Sequence, residues 1–182
     1  MDDQQAVRCL KRGDMDGLEI LVSRYQEKAG RVAFLVTRDE ALAQDVVQET
    51  FIRIYRRIRQ FDETRPFEPY FMRSVVNAAL NATRGQKPLS LDTDPAEFET
   101  LLAHAASVES DVEFAQAKGD IFSALAQLSP RQRAVIVQRY YLEMSEKEMS
   151  EALDSPPGTV KWLLNAARTR LRALLGSERM AE

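Results

Sequence analysis

The chain has 182 residues and a formal net charge of −3, and this acidic balance at first argues against binding to nucleic acid. One cysteine and one histidine exclude an internal disulfide and leave no zinc site or histidine-based triad, so we expect no metal, no cofactor and no catalytic residue. The longest apolar run, Val32 to Val36, is too short to span a membrane, and the polar start is typical of neither a secretory signal nor a transit peptide. We therefore expect a cytoplasmic protein that makes no membrane contact itself.

Apolar residues recur at helical spacing, and seven glycines and seven prolines are few interruptions, so we predict an all-helical protein. Capping residues, glycine and proline mark where the helices of the first half begin and end. The predicted helices run from Gln4 to Arg12 with a stop at Gly13, from an Asp16 cap to a break at Thr37-Arg38-Asp39, from Glu40 to Arg59, and from Pro66 or Pro69 to Arg84.

The segment 86–113 differs in composition from both of its flanks. It has one lysine against seven acidic residues, a net charge of −6, whereas residues 1–85 carry +1 and residues 114–182 carry +2. We therefore predict two small helical domains, 1–85 and 114–182, joined by an acidic linker. The alternative for the linker is that its charges only keep it solvated and have no further role. The negative charge belongs to the linker, so it does not exclude nucleic-acid binding by the two domains.

The second domain has the signals of a helix-turn-helix, in which a short helix and a tight turn precede a longer basic helix. Serine caps, one of them with a glutamate three residues on, and prolines at helix starts set the boundaries. In chain order, one helix ends near Leu128, and the next runs from Ser129-Pro130 to Tyr141. A third helix runs from the Ser145 cap, boxed by Glu148, to Leu153, and a turn follows at Asp154-Ser155. The last helix is opened by Ser155 and Pro156-Pro157 and stops at Leu175-Gly176.

The last helix has one apolar side and one basic side. The predicted core side comprises Val160, Leu164, Ala167, Leu171 and Leu174. The opposite side, here called the basic face, comprises Lys161, Asn165, Arg168 and Arg172. An amide flanked by cations suits the major groove of duplex DNA, where amides pair with adenine and cations contact guanine or phosphate. Taken without its context, such a face would also fit an ordinary solvated helix surface. The short helix and tight turn that precede it favour a helix that reads DNA.

The fourth helix carries a second polar side, here called the amide face, which comprises Tyr70, Arg73, Ser74, Asn77, Asn81 and Arg84. Asparagine has low helix propensity and is a poor choice for an ordinary helix surface. Aromatic and guanidinium planes stack on unpaired bases, and amides hydrogen-bond to their exposed edges. The pattern therefore favours single-stranded nucleic acid, although polar faces of this kind also occur by chance.

The third helix has a surface of the opposite chemistry, here called the acidic face, which comprises Asp45, Gln48, Glu49 and Ile52. Like charges four residues apart cost a few tenths of a kcal/mol in a helix, and Ile52 adds exposed apolar surface beside them. This combination is typical of a protein-binding patch. The arginines that follow it, at 53, 56, 57 and 59, also fit a solvated helix end favoured by the helix dipole.

These motifs together resemble a bacterial RNA polymerase sigma factor. The run Asp45-Val46-Val47-Gln48-Glu49-Thr50-Phe51, followed by Pro66-Phe67 and Arg73-Ser74-Val75-Val76-Asn77, is similar to region 2 of that family. The runs Leu128-Ser129-Pro130-Arg131-Gln132-Arg133 and Ser155-Pro156-Pro157-Gly158-Thr159-Val160-Lys161 are similar to region 4. Because no further region stands between or before them, the resemblance is to the extracytoplasmic-function (ECF) group. Two departures stand out: Tyr70 replaces the tryptophan of many members, and Trp162-Leu163-Leu164 replaces small and basic residues.

The resemblance implies a transcription initiation factor that binds core RNA polymerase and promoter DNA. The acidic face would dock on the β′ clamp helices, and the β subunit would be a further contact. The amide face would help to melt and capture the minus-ten element, and the basic face with Thr159 would read the minus-thirty-five element. The acidic linker would occupy channels lined by cations. Members of this group are often held by an anti-sigma partner, which no segment here identifies.

Three alternatives remain open from the residues alone. A helix-turn-helix repressor or activator would act without polymerase, and would leave the acidic and amide faces unexplained. A helical adaptor would bind no nucleic acid, even with polymerase present. An enzyme is the weakest alternative, because the sequence offers no candidate nucleophile, base or metal cluster.

Overall fold

The computed structural model describes residues 1–84, 119 and 121–178, and this part of the chain is helical without strands. The predicted linker and His104 lie outside the described residues. The first half contains α1 (Asp3–Lys11), α2 (Asp16–Thr37), α3 (Glu40–Arg57) with a 3-10 turn (Ile58–Gln60), and α4 (Phe67–Ala82). In the second half residues 121–126 are helical, and they are followed by α5 (Pro130–Ile136) with a π-helical turn (Val137–Tyr141), α6 (Glu146–Leu153) and α7 (Pro157–Glu178). None of the described helices combines the length and hydropathy needed to cross a bilayer.

Most of the predicted helix boundaries are confirmed at the level of individual hydrogen bonds. Ser145 and Glu148 form the expected capping box at the start of α6, and Ser129 caps α5 in a box with Gln132. Gly13 follows the end of α1 with a φ of 87°, a conformation that costs glycine little. The turn before α7 contains Asp154 in the left-handed conformation, with a φ of 46°.

Three predicted boundary roles are wrong. Asp16 is the first residue of α2 and not its cap, and its backbone N–H donates to the Asp14 carboxylate at 3.1 Å. Gly176 does not stop α7, which continues to Glu178, because one glycine lowers helix stability by only about 1 kcal/mol. Ser155 does not cap α7, since its hydroxyl donates to the Leu153 carbonyl and the Pro156 carbonyl accepts the N–H of Val160.

The N-terminal lobe (α1 to α4) is built around α2, which packs against the other three helices. Its core contains an aromatic cluster centred on Phe71, whose ring lies 4.4 Å from Phe51, 5.7 Å from Phe67 and 6.0 Å from Tyr25 between centroids. The Tyr25 hydroxyl donates to the Asp3 carboxylate, and burial together with this hydrogen bond raises the pKa of Tyr25. The lobe therefore ties its first helix to its core through a polar contact.

The C-terminal lobe (residues 121–178) has a smaller core, which comprises Leu125, Leu128, Val135, Ile136, Met149, Val160, Leu163, Leu164 and Ala167. Part of α5 and its π-helical turn is instead buried against the other lobe, since Ala134 and Val137 belong to the N-terminal core cluster. Leu35 of α2 packs against both clusters. The two lobes therefore pack against each other.

Hydrogen bonds from two arginines join the lobes. The sequence had given no indication of how the lobes are arranged. Arg133 is 6% exposed, and its guanidinium donates to the carbonyl of Val36 at 2.9 Å and to that of Leu128 at 2.5 Å. Arg38 donates to the carbonyl of Ala126 at 3.1 Å. Burial, with a smaller contribution from the charge of Arg38, lowers the pKa of Arg133 to about 10, so the side chain stays charged at neutral pH.

Candidate polymerase and nucleic-acid interfaces

The acidic face lies open on α3. Asp45, Gln48 and Glu49 are exposed, and Ile52 is 43% exposed. Neither carboxylate forms an ion pair within the described part of the chain. The opposite side of α3 and its 3-10 turn fixes this orientation, because Val47, Thr50, Phe51, Ile54 and Ile58 are all buried there. The result is a pair of carboxylates beside an exposed apolar side chain. The carboxylates have no ion-pair partner among the described residues, and this combination suits a protein-docking surface.

One residue of this surface was missed from the sequence. Tyr55 is 41% exposed and lies three residues after Ile52, so it continues the same side of α3. The available signal was an aromatic side chain at helical spacing from an exposed isoleucine. Aromatic residues are enriched at the centres of protein interfaces. We therefore add Tyr55 to the surface around the acidic face.

The amide face is partly exposed on α4. Tyr70, Arg73, Asn81 and Arg84 are exposed, whereas Ser74 and Asn77 are half-buried. The Tyr70 ring lies 4.8 Å from that of Phe61, which leaves one side of it accessible, and the Ser74 hydroxyl donates to the Tyr70 carbonyl at 3.0 Å. Ser74 is therefore used within the helix, while Asn81 and Arg84 remain exposed.

Two arginines connect the amide face to its surroundings. Arg53 of α3 donates to the Ser74 carbonyl at 3.4 Å, so the basic end of α3 lies beside α4. Arg73 donates to the backbone carbonyl of Glu151 in α6. One predicted reader of single-stranded nucleic acid is therefore held by the C-terminal lobe in this arrangement.

The turn between α6 and α7 is fixed by reciprocal hydrogen bonds. The Ser150 hydroxyl donates to the Ser155 carbonyl at 2.6 Å, and the Ser155 N–H donates to the Ser150 carbonyl at 3.1 Å. Met149 and Val160 are buried on the two sides of the turn. Because these two hydrogen bonds close the turn, α7 has a fixed direction relative to α6, as a helix-turn-helix needs.

The basic face lies on α7, and one of its residues, Arg168, is held by contacts within the protein. Thr159, Lys161, Asn165 and Arg172 are exposed. Arg168 is half-buried: its Nε donates to the Tyr140 hydroxyl at 2.7 Å, and its guanidinium carbon lies 5.7 Å from the centre of the Tyr140 ring. A charge-assisted hydrogen bond and a cation–π contact thus orient Arg168. Sequence reasoning missed Tyr140, which lies 28 positions away and shares no local motif with Arg168.

The residues predicted for the core side of α7 are buried at the start of the helix but not at its far end. Val160, Leu164 and Ala167 are buried, whereas Leu171 and Leu174 are half-buried. Leu163, which was not predicted to be inside, is buried. Leu163 lies three residues after Val160 and four before Ala167, so helical spacing carried a signal for its burial that the predicted core side left out.

The three faces differ in the chemistry of their side chains. Within the described residues, no group of three or more histidine, cysteine, aspartate or glutamate side chains could hold a metal ion. Cys9 is a free, buried thiol in α1 that accepts a hydrogen bond from Arg12 at 3.4 Å. The carboxylate surface, the amide surface and the basic helix-turn-helix surface therefore offer three different chemistries to a partner.

Comparisons with known proteins agree with this arrangement. Residues 21–88 match the family model described as Sigma-70 region 2, and residues 118–171 match that described as Sigma-70, region 4. The chain is 30% identical over 179 residues to the ECF RNA polymerase sigma factor SigW of Bacillus subtilis, covering 94% of this chain and 96% of SigW.

Two solved structures share the fold. CnrH, in complex with the cytosolic domain of CnrY, superposes with a TM-score of 0.67 at 24% identity, covering 96% of this chain and 97% of CnrH. The sigma factor RpoE of Bartonella quintana, in complex with the anti-sigma factor NepR, gives a TM-score of 0.63 at 18% identity, covering 87% of this chain and 96% of RpoE. With the relationship to SigW, the chain belongs to the extracytoplasmic-function group of sigma-70 RNA polymerase sigma factors.

Proposed function

We propose that this chain binds core RNA polymerase and directs it to a class of promoters, with a separate surface for each partner. Members of its family are transcription initiation factors and not enzymes. The observation that carries the proposal is the presence of three different faces on one chain, in the order of regions 2 and 4. A repressor that acts alone would use only the basic face.

Core polymerase is the proposed partner of the acidic face. Asp45, Gln48, Glu49 and Ile52 would dock on the β′ clamp helices, with Tyr55 extending the contact, and the β subunit would be contacted elsewhere. The two carboxylates have no partner of their own among the described residues, so docking breaks no existing ion pair. Opposite charge on the polymerase would favour rapid and specific association.

The minus-ten element is the proposed ligand of the amide face. Tyr70 would stack on an unpaired base, and Asn77 and Asn81 would hydrogen-bond to base edges, while Ser74 would support the helix. Arg73 must first release the Glu151 carbonyl, so capture of the strand requires the C-terminal lobe to move away from α4. Docking on the polymerase would supply that separation, and Arg84 and Arg53 would contact phosphates.

The minus-thirty-five element is the proposed ligand of the basic face. Asn165 would pair with a base edge, Lys161 and Arg172 would contact guanine or phosphate, and Thr159 would contact the backbone at the start of α7. Tyr140 would act as a positioning residue that holds Arg168 in a single orientation before DNA arrives.

The remaining assignments follow from this division of labour. We propose domains at 1–85 and 114–182, with the acidic segment 86–113 occupying cationic channels of the polymerase. We also propose that the protein works in the cytoplasm without touching the membrane. The Bartonella relative was solved with an anti-sigma factor, which supports an anti-sigma partner for this chain as well.

Reconstitution with bacterial core polymerase tests the proposal. The purified chain and core enzyme would be incubated with a library of genomic promoter fragments, and run-off transcripts would be sequenced. We expect transcripts with defined start sites that require the chain. Duplex binding by the chain alone, with no effect on polymerase, would instead establish a repressor or activator, and absence of both would favour an adaptor.

A further inference from the structure

Trp162 lies on α7 with no role in the core of either lobe. It is 67% exposed, the largest exposed fraction of any large apolar side chain among the described residues. The two leucines that follow it are buried, so this part of α7 does pack apolar side chains into the core, but Trp162 is not one of them. Burial of the indole would be favourable, so a partner that covered Trp162 would gain free energy from its apolar surface.

Helix geometry places Trp162 at the centre of the outer side of α7. The buried residues Val160, Leu163, Leu164 and Ala167 define the inner side. At 100° per residue, the opposite direction lies about 30° from Trp162 and from Asn165, but about 70 to 90° from Lys161 and Arg168. Trp162 and Asn165 are therefore central, and the cations form the rim.

The charge around Trp162 identifies the kind of partner. Between Pro157 and Leu175 there is no aspartate or glutamate, whereas Lys161, Arg168, Arg170 and Arg172 are cations. An aromatic group on a helix whose charged side chains from Pro157 to Leu175 are all cations is complementary to a polyanion. The fixed turn orients this helix as a helix-turn-helix orients its reading helix. Duplex DNA satisfies both observations.

We propose that Trp162 reads thymine methyl groups in the major groove of the minus-thirty-five element. This inference rests on the proposed function of α7. The flat indole would pack against the C5-methyl group of thymine, and its Nε1–H could donate to a neighbouring base acceptor. Phosphate contacts carry no direct sequence information, so Trp162 and Asn165 set the sequence preference while the rim cations supply affinity.

The test uses holoenzyme, assembled from core polymerase and the full chain, on promoters randomised in the minus-thirty-five element. The wild type is compared with Trp162→Ala and with Ile121→Ala, which removes another exposed apolar side chain of the same lobe. We expect the wild type and Ile121→Ala to enrich thymine at one or two adjacent positions. Trp162→Ala should lose that enrichment by about tenfold and keep the preferences at other positions.

Deoxyuridine in place of thymine at the enriched positions removes only the methyl group. We expect it to lower wild-type transcription about threefold or more and to leave Trp162→Ala unaffected, since that variant has no indole to contact the methyl. Equal loss in both proteins, unchanged thymine enrichment in Trp162→Ala, or a uniform loss at all positions would overturn the inference. If wild-type holoenzyme enriches no minus-thirty-five sequence, the proposed function of α7 itself fails.

Discussion

The two lobes differ in how they obtain their stability. The N-terminal lobe encloses its own aromatic cluster around Phe71, and its helices pack on one central helix. The C-terminal lobe has a smaller core, and Ala134 and Val137 at its first long helix are buried in the core of the other lobe. The lobe that we propose to read duplex DNA therefore depends on the lobe that we propose to bind polymerase.

This asymmetry has a functional consequence. The contact between the lobes uses Arg133, Arg38 and Arg73, and the last of these belongs to the amide face. Opening the lobes would therefore release Arg73, which we propose to bind DNA, from the Glu151 carbonyl, and would also remove support from the helix-turn-helix. Polymerase must replace that support, so we expect weak promoter binding by the free chain and strong binding by the holoenzyme.

The largest effect should come from Phe71→Ala, which empties the centre of the aromatic cluster. We expect a loss of about 3 to 5 kcal/mol in the free energy of unfolding. Hydrogen exchange should rise in both lobes, because the C-terminal lobe loses the surface against which it packs. The matched variant Leu164→Ala, in the smaller core, should raise exchange in the C-terminal lobe alone. If Leu164→Ala also unfolds the N-terminal lobe, the lobes form one cooperative unit and the comparison fails.

Arg133→Ala should separate the lobes at a smaller cost. The carbonyls of Val36 and Leu128 lose their donor, and we expect about 1 to 3 kcal/mol of destabilisation. Burial of the Arg133 charge is itself unfavourable, as its lowered pKa indicates. Removing that charge therefore offsets part of the free energy of unfolding that the lost hydrogen bonds cost. Small-angle scattering should show a larger radius of gyration, whereas exposed Arg131→Ala should leave it unchanged. An unchanged radius in Arg133→Ala would contradict the role of this arginine.

The pH dependence of this contact follows from the same pKa. Because burial lowers the folded-state pKa of Arg133 to about 10, below its ordinary value, the folded state releases the proton at a lower pH than the unfolded chain does. The penalty for burying the charge is therefore relieved only as pH rises above about 10. Between pH 6 and pH 8 Arg133 contributes no pH dependence to the packing of the lobes.

Gln138→Met should give a smaller effect of the opposite sign. Gln138 is fully buried next to Val137, and both polar atoms of its amide lack a partner among the described residues. An unsatisfied buried amide is unfavourable, so an apolar side chain of similar size should stabilise the folded chain by about 1 kcal/mol in urea unfolding. Exposed Gln127→Met should be neutral. Destabilisation by Gln138→Met would mean that the amide has a partner, such as a buried water.

Local signals predicted the helices well because capping and apolar spacing involve residues within one or two turns of each other. The boxes at Ser129 and Ser145 and the outward direction of Asp45 and Glu49 are examples. Contacts between distant residues could not be predicted in the same way. Arg133 bonds to a carbonyl 97 positions away and Arg168 to a hydroxyl 28 positions away, and neither partner is part of a local pattern. The packing of the lobes depends on such contacts.

The central claim is that one lobe binds polymerase through its acidic face while the other reads duplex DNA. Co-purification of core polymerase with Asp45→Lys and with Lys161→Ala tests it most directly, with promoter transcription measured on the same samples. We predict that Asp45→Lys keeps the wild-type circular dichroism spectrum and loses core binding. Lys161→Ala should keep core binding and lose transcription that depends on the minus-thirty-five element. Normal core binding by folded Asp45→Lys would contradict the account.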